Sequence, residues 1–241
     1  CSKGETGYIY QGIISFIRKE IAIAKLPKLP VEILLNISQP NRAFALSFLP
    51  VSGVGLARLE FIISQNIKVH PLALLNIGKL PTNIKNKIKQ LTAAYNNPID
   101  YFVDTLSQEV ATIAAAFWPH PVIVRLSDFK SNEYRNLIGG QYFEPKEDNP
   151  MLGLRGASRY YSDLYKDAFA LECKALKLAR EVKGFKNIKI MIPFVRTVEE
   201  AEKTVTLIKK YGLKRNKQNL ELVMMCEIPS NVLLIDQFSK Y

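Results

Sequence analysis

Cysteine is scarce in this chain: Cys1, Cys173 and Cys226 are the three present, and they lie far apart. No CxxC pair offers a zinc site and no dense pattern offers a disulfide scaffold, so we expect a reducing, cytoplasmic compartment. Histidine is scarcer still. His70 and His120 each sit beside a proline, in expected turns, with no second ligand at metal spacing. No apolar run approaches the roughly 18–20 residues of a membrane span, and no charged-apolar-small leader opens the chain. "GVGLAR" lacks the GxGxxG spacing, which removes a dinucleotide fingerprint. No internal repeat or low-complexity tract is present.

What is there is an ordinary packed composition. Hydrophobic residues make up 48% of 241, enough for one large α/β domain or two small ones. The 33 Lys+Arg exceed the 22 Asp+Glu, giving a formal charge of +11. A basic surplus can mark a nucleic-acid surface. Here the lysines of "TNIKNKIKQL", "KALKLAREVKG" and "LIKKYGLKRNKQN" spread along expected helices as solvated faces. With no aromatic-basic stripe among them, we expect neither a nucleic-acid nor a membrane partner.

Along the chain, 1–12 reads as the end of a β-rich element and 13–30 as a connector, extended by Pro27 and Pro30. Strand-length runs follow near 31–36, 51–56, 121–126, 188–193 and 222–227, and the stretches between them have helical patterning. Thr82 is expected to cap one helix, and Thr197 with Glu200 to form a capping box on another. Gly184 and Gly212 are expected to terminate helices. Cys173 and Cys226 are expected in the core. Continuously apolar strands alternating with helices predict a parallel sheet covered on both faces. Pattern alone leaves a doubly wound sheet and a (β/α)-barrel both open.

Charges recur where the strands stop. Arg58 follows "GVGLA", Arg125 follows "VIV", Glu227 follows "VMMC", and Arg155 follows the loop segment "NPMLGL". Ligand chemistry sits at the C-terminal ends of strands in parallel α/β folds. The plain alternative is local pairing, Arg58 with Glu60 and Arg125 with Asp128. Three guanidiniums around a lone carboxylate instead predict a small, multiply anionic ligand held through Mg²⁺.

The blocks "GVGLARLEFII", "VIVRLSDFKSNEYRNLIGG", "NPMLGLRGASRY", "IMIPFVRTVEEAE" and "MMCEIPSNVLL" resemble the phosphoenolpyruvate (PEP) synthase family of PEP-utilising enzymes. The resemblance runs through essentially the whole chain. It implies an α/β fold, an incomplete (β/α)8 TIM barrel with about five of eight strands. Residues 1–12 would end a swivelling phosphohistidine domain, 13–30 would be a linker, and 31–241 would be the N-terminal part of a PEP/pyruvate-binding barrel. Arg58, Arg125 and Arg155 match arginines that hold PEP, with Arg58 and Arg125 also catalytic, and Glu227 matches a Mg²⁺ ligand. The implied reaction converts ATP, pyruvate and water to PEP, AMP and phosphate through a phosphohistidine.

The same resemblance exposes departures. The family continues past "QFSKY" with an Asn-Asp strand that supplies a second metal ligand, and later with a catalytic cysteine. The chain also opens on Cys1 rather than methionine, so we expect a fragment, inactive alone. Its expected partners are pyruvate or PEP, the phosphohistidine and ATP-binding domains of a longer chain, and a second copy in a full-length homodimer. Pyruvate phosphate dikinase and a non-catalytic anion-binding relic are the alternatives.

Overall fold

Short runs rich in Val, Ile and Leu form five strands within Glu32–Tyr241: β1 (Leu35–Ile37), β2 (Val54–Arg58), β3 (Val122–Arg125), β4 (Ile188–Ile192) and β5 (Leu222–Met224). All neighbours pair in parallel, in the order β1-β2-β3-β4-β5. A consecutive order means that every crossover steps in one direction, whereas a doubly wound sheet reverses at a switch point. The fold is α/β with the winding of a partial (β/α)8 barrel, as expected.

This computed structural model describes residues 2–3, 6–7, 10–15, 17, 27, 29–149 and 153–241. The chain divides into two compact units, Cys1–Val31 and Glu32–Tyr241. In the first, Ser2–Lys3 pairs antiparallel with Thr6–Gly7. The readings of 1–12 as a domain exit and 13–30 as a linker fall largely outside the described residues. Among the described residues no helix is long and apolar enough to cross a membrane.

Burial alternates along the strands. Val122, Val124, Ile188, Ile190 and Ile192 are buried, while Ile123, Arg125, Lys189 and Met191 are half-buried. The expectation of cover on both faces is corrected here. One face is buried under the helices, and the other, which carries Ile123 and Met191 as well as Arg125 and Lys189, is only half-covered.

The 19-residue helix Pro98–Ala116 supplies much of the cover. Asn97 caps it by accepting from Ile99 N at 2.9 Å, and Pro98 takes the first turn, where no N–H is needed. Its Phe102, Leu106, Val110 and Ile113 recur at helical spacing and are buried against the sheet and the helix Lys166–Lys177. Thr197 caps Val198–Lys210 through Glu200 N at 3.1 Å. The returning bond from Glu200 goes to Arg196 N rather than to Thr197 N. Thr82 is no cap: Pro81 holds that position in extended geometry, and Thr82 is the first helical residue. Gly184 and Gly212 take left-handed conformations past their helices, at φ 86° and 95°.

Candidate functional site

β2 and β3 end side by side, with Arg58 and Arg125 as register partners. Two guanidiniums rooted on adjacent strands repel unless anions compensate. Compensation comes from the next turns. Glu60, at the start of the helix Leu59–Ile62, accepts from Arg125 Nη2 at 2.8 Å and from Asp128 N at 2.6 Å, both on Oε1. Asp128 grips Arg155 with two bonds, Nε to Oδ1 at 3.1 Å and Nη2 to Oδ2 at 2.7 Å. Its Oδ2 also stands 3.6 Å from Arg125 Nη1. The expected local pairing of Arg58 with Glu60 is corrected. Glu60 reaches across to the neighbouring strand, and among the described residues Arg58 has only the Phe61 ring, 5.9 Å away.

The loop after β4 holds two of the site residues in place. Phe194 holds a left-handed backbone, φ 52°, a conformation costly for a bulky residue. Its N–H donates to Glu227 Oε1 at 2.7 Å, and its ring lies under both Arg155 (4.4 Å) and Arg196 (4.6 Å). Arg155, although it follows a loop segment, is buried and clamped. Glu227 is exposed, because β5 stops at Met224 and the carboxylate sits in the following loop rather than on the strand tip.

Arg58, Arg125, Arg155 and Glu227 together line one cavity of about 650 Å³, along with Glu60 and Asp128. The expectation of a lone carboxylate is corrected: four carboxylates line it, counting Glu133. An arginine held in a cleft needs acceptors for its donors, and Glu60 and Asp128 serve that need. Burial pushes the Glu60 carboxyl up, and the nearby Arg125 opposes this only in part. For Arg155 burial works against the charge, but the Asp128 bonds outweigh it and raise the guanidinium. Among the described residues Glu60 Oε2 and Arg125 Nε are buried without a hydrogen-bond partner.

Sequence reasoning paired Arg125 with Asp128, which the 3.6 Å approach bears out, but missed Glu60 as a partner of Arg125, Asp128 as a partner of Arg155, and the roles of Phe194 and Arg196. The acid of "LSD", three residues past Arg125, and the arginine of "PFVR" past β4 were the available signals. The histidines stand apart from the cavity. His70 is fully buried, capping Pro71–Leu75 and bonded to Glu144 at 2.9 Å, and burial lowers its pKa. His120 is exposed. Cys173 is buried as expected, but Cys226 is exposed, since it lies past the end of β5. Among the described residues no group of three or more His, Cys, Asp or Glu is placed to hold a metal ion.

A family model described as PEP-utilising enzyme, PEP-binding domain, matches residues 17–241. The chain belongs to this family. It is 52% identical over 241 residues to the phosphoenolpyruvate synthase of Pseudomonas aeruginosa (strain UCBPP-PA14). It is 50% identical to that of Neisseria meningitidis serogroup B and 49% to that of Escherichia coli (strain K12). Each match covers 100% of this chain and 30% of the relative. This member of the PEP-utilising enzymes therefore spans about a third of the length of the curated relatives it matches.

Proposed function

We propose that this chain is the PEP/pyruvate-binding part of a phosphoenolpyruvate synthase, a phosphotransferase that makes PEP, AMP and phosphate from ATP, pyruvate and water. The observation that carries the reading is the convergence of Arg58, Arg125, Arg155 and Glu227 on one cavity at the strand ends. Among the described residues Arg58 has no protein anion to displace, and Arg125 lines the cavity with Nη2 committed to Glu60. These two are the groups that receive substrate oxygens. Negative charge grows on the enolate oxygen of pyruvate and on the arriving phosphoryl group. Guanidiniums there stabilise that charge, Arg125 from a position set by Glu60. Arg155, already braced by Asp128 and Phe194, contributes substrate binding at the rim.

The residues present fit Mg²⁺. Glu227 offers an exposed carboxylate with one oxygen fixed by Phe194 N–H, and Mg²⁺ takes one or two protein carboxylates while filling its shell with substrate and water. When bound, the ion would neutralise charge on substrate oxygens. In this reading 1–12 ends a swivelling phosphohistidine domain, 13–30 links it to the barrel, and 31–241 is barrel. The partners are that domain, an ATP-binding domain and a second subunit, in the cytoplasm. The test is a coupled assay of the protein as encoded, with pyruvate, ATP and Mg²⁺. PEP and AMP should appear together, with phosphate. PEP formed only when phosphate is added, with pyrophosphate released, or none, would remove the assignment.

A further inference from the structure

A chain of buried polar side chains runs behind the cavity, on the helix side of β3. Ser127, Tyr134, Tyr165 and Glu172 are each fully buried. Glu172, on the helix Lys166–Lys177, accepts from Ser127 N on Oε2 at 3.1 Å. Its Oε1 accepts from Ser127 Oγ and from Tyr165 Oη, the latter at 3.2 Å. Tyr134 Oη stands 2.7 Å from both Ser127 Oγ and Tyr165 Oη. Tyr160 Oη donates to Ser127 O at 2.8 Å. Every polar atom of Ser127 is thus held by a buried side chain.

The next residue is Asp128, which clamps Arg155 and approaches Arg125, and whose N–H is fixed by Glu60. The dipeptide after β3 is therefore pinned from both sides. Glu172 grips it from the core, and the arginines lean on it from the cavity. Packing does not explain an acid there. A carboxyl buried with no cation against it is costly, and a leucine would fill the space more cheaply. Burial pushes the Glu172 carboxyl up to about 7.

We propose that Glu172 is a positioning residue: by accepting both hydrogen bonds of Ser127 from within the core, it fixes the Ser127–Asp128 segment and so aims Arg155 and Arg125. The proposal rests on the reading of those arginines as PEP/pyruvate-binding groups. What the segment requires is an acceptor for Ser127 N, not a charge. The hydroxyls of Ser127, Tyr134 and Tyr165 can each donate or accept, so a glutamine can satisfy the chain with some bonds reversed.

The experiment compares three variants of the protein as encoded, measuring kcat, KM for pyruvate and thermal unfolding. Glu172→Leu should lower kcat/KM per folded molecule about 10- to 100-fold, the scale of a misplacement near 1 Å. Glu172→Gln should restore most of it. Should the leucine variant fail to fold, Ser127→Ala, which keeps the backbone bond and loses the hydroxyl, should still lower kcat/KM several-fold. A merely structural role would move the unfolding midpoint and leave kcat/KM per folded molecule untouched, and that result overturns the proposal. So does a glutamine variant as impaired as the leucine one. Arg125→Lys is run alongside. If it too behaves as wild type, the site reading falls with the proposal; if it alone is impaired, only the positioning role fails.

Discussion

Arg125 does two things at once: Nη2 is committed to Glu60 at 2.8 Å, while Nη1 stands 3.6 Å from Asp128 Oδ2. Lysine carries the same charge as a single point and cannot serve both directions. Arg125→Lys should therefore cost about 10²–10³ in kcat, the range seen for removal of one preorganised donor, and steady-state kinetics of PEP formation would read it. Glu227 is a different case, because it is exposed and its fold-supporting bond is a single one to Phe194 N. Glu227→Gln keeps that acceptor and loses the charge. The expected result is a higher Mg²⁺ concentration for half-maximal turnover, with an unchanged circular dichroism spectrum. Glu172 adds a pH signature. Its folded value of about 7 lies above the ordinary 4.5, so the folded state holds a proton that the unfolded chain has released. Stability from this group is full below pH 4.5 and is lost as pH rises through 7, in total about 3 kcal/mol. Between pH 5.5 and 8 the unfolding midpoint of Glu172→Gln should fall less than that of the wild type. Parallel pH dependence in the two proteins would contradict the assignment.

At the level of elements, much was legible because the signals are local. The β-branched runs mark all five strands, and a capping residue or a glycine needs only its neighbours in sequence. Thr197 was read that way correctly and Thr82 wrongly, while Asn97, which bonds Ile99 N two residues on, was not singled out. Asn97→Ala should destabilise the helix Pro98–Ala116 by about 1 kcal/mol, and a lowered unfolding midpoint with normal PEP formation would show it. The strand ends were less legible. β5 stops at Met224 although the apolar run continues, because Met225 N still bonds Ile192 O but the chain then turns toward the helix Pro229–Leu233. The ion pairs were legible only in part: Asp128 does stand 3.6 Å from Arg125, as its nearness in sequence suggests. Proximity in sequence pairs Arg58 with Glu60, yet Glu60 serves Arg125, and Asp128 serves Arg155 from 27 residues away. Such partners are set by strand register and loop direction, which no short window of sequence contains. Phe194 is likewise invisible: nothing in "IPFV" announces a left-handed phenylalanine.

Across the whole chain, charge and exposed apolar surface act against each other. Among the described residues β1 pairs only with β2 and β5 only with β4, so each presents a free edge. Apolar groups lie beside both: Ile33 and Leu34 before β1, and Leu233 and Ile235 after β5, with Leu233 80% exposed. Free strand edges flanked by apolar side chains favour association. The formal charge of +11 opposes it by repulsion between copies, and that repulsion reaches about 10 Å at 0.1 M salt and less above it. The 241 residues purified alone should therefore associate, and more strongly as salt rises, as read by light scattering after gel filtration. Nucleic-acid binding would give the opposite dependence, since it weakens steeply with salt through counterion release. The lysines bear on the same choice: Lys174 and Lys203 lie on outer helices with side chains 59% and 51% exposed, and neither lines the arginine cavity. A salt-insensitive monomer would refute the free-edge argument. Tight, salt-sensitive binding to duplex DNA would refute the view that the basic surplus is a solvated surface.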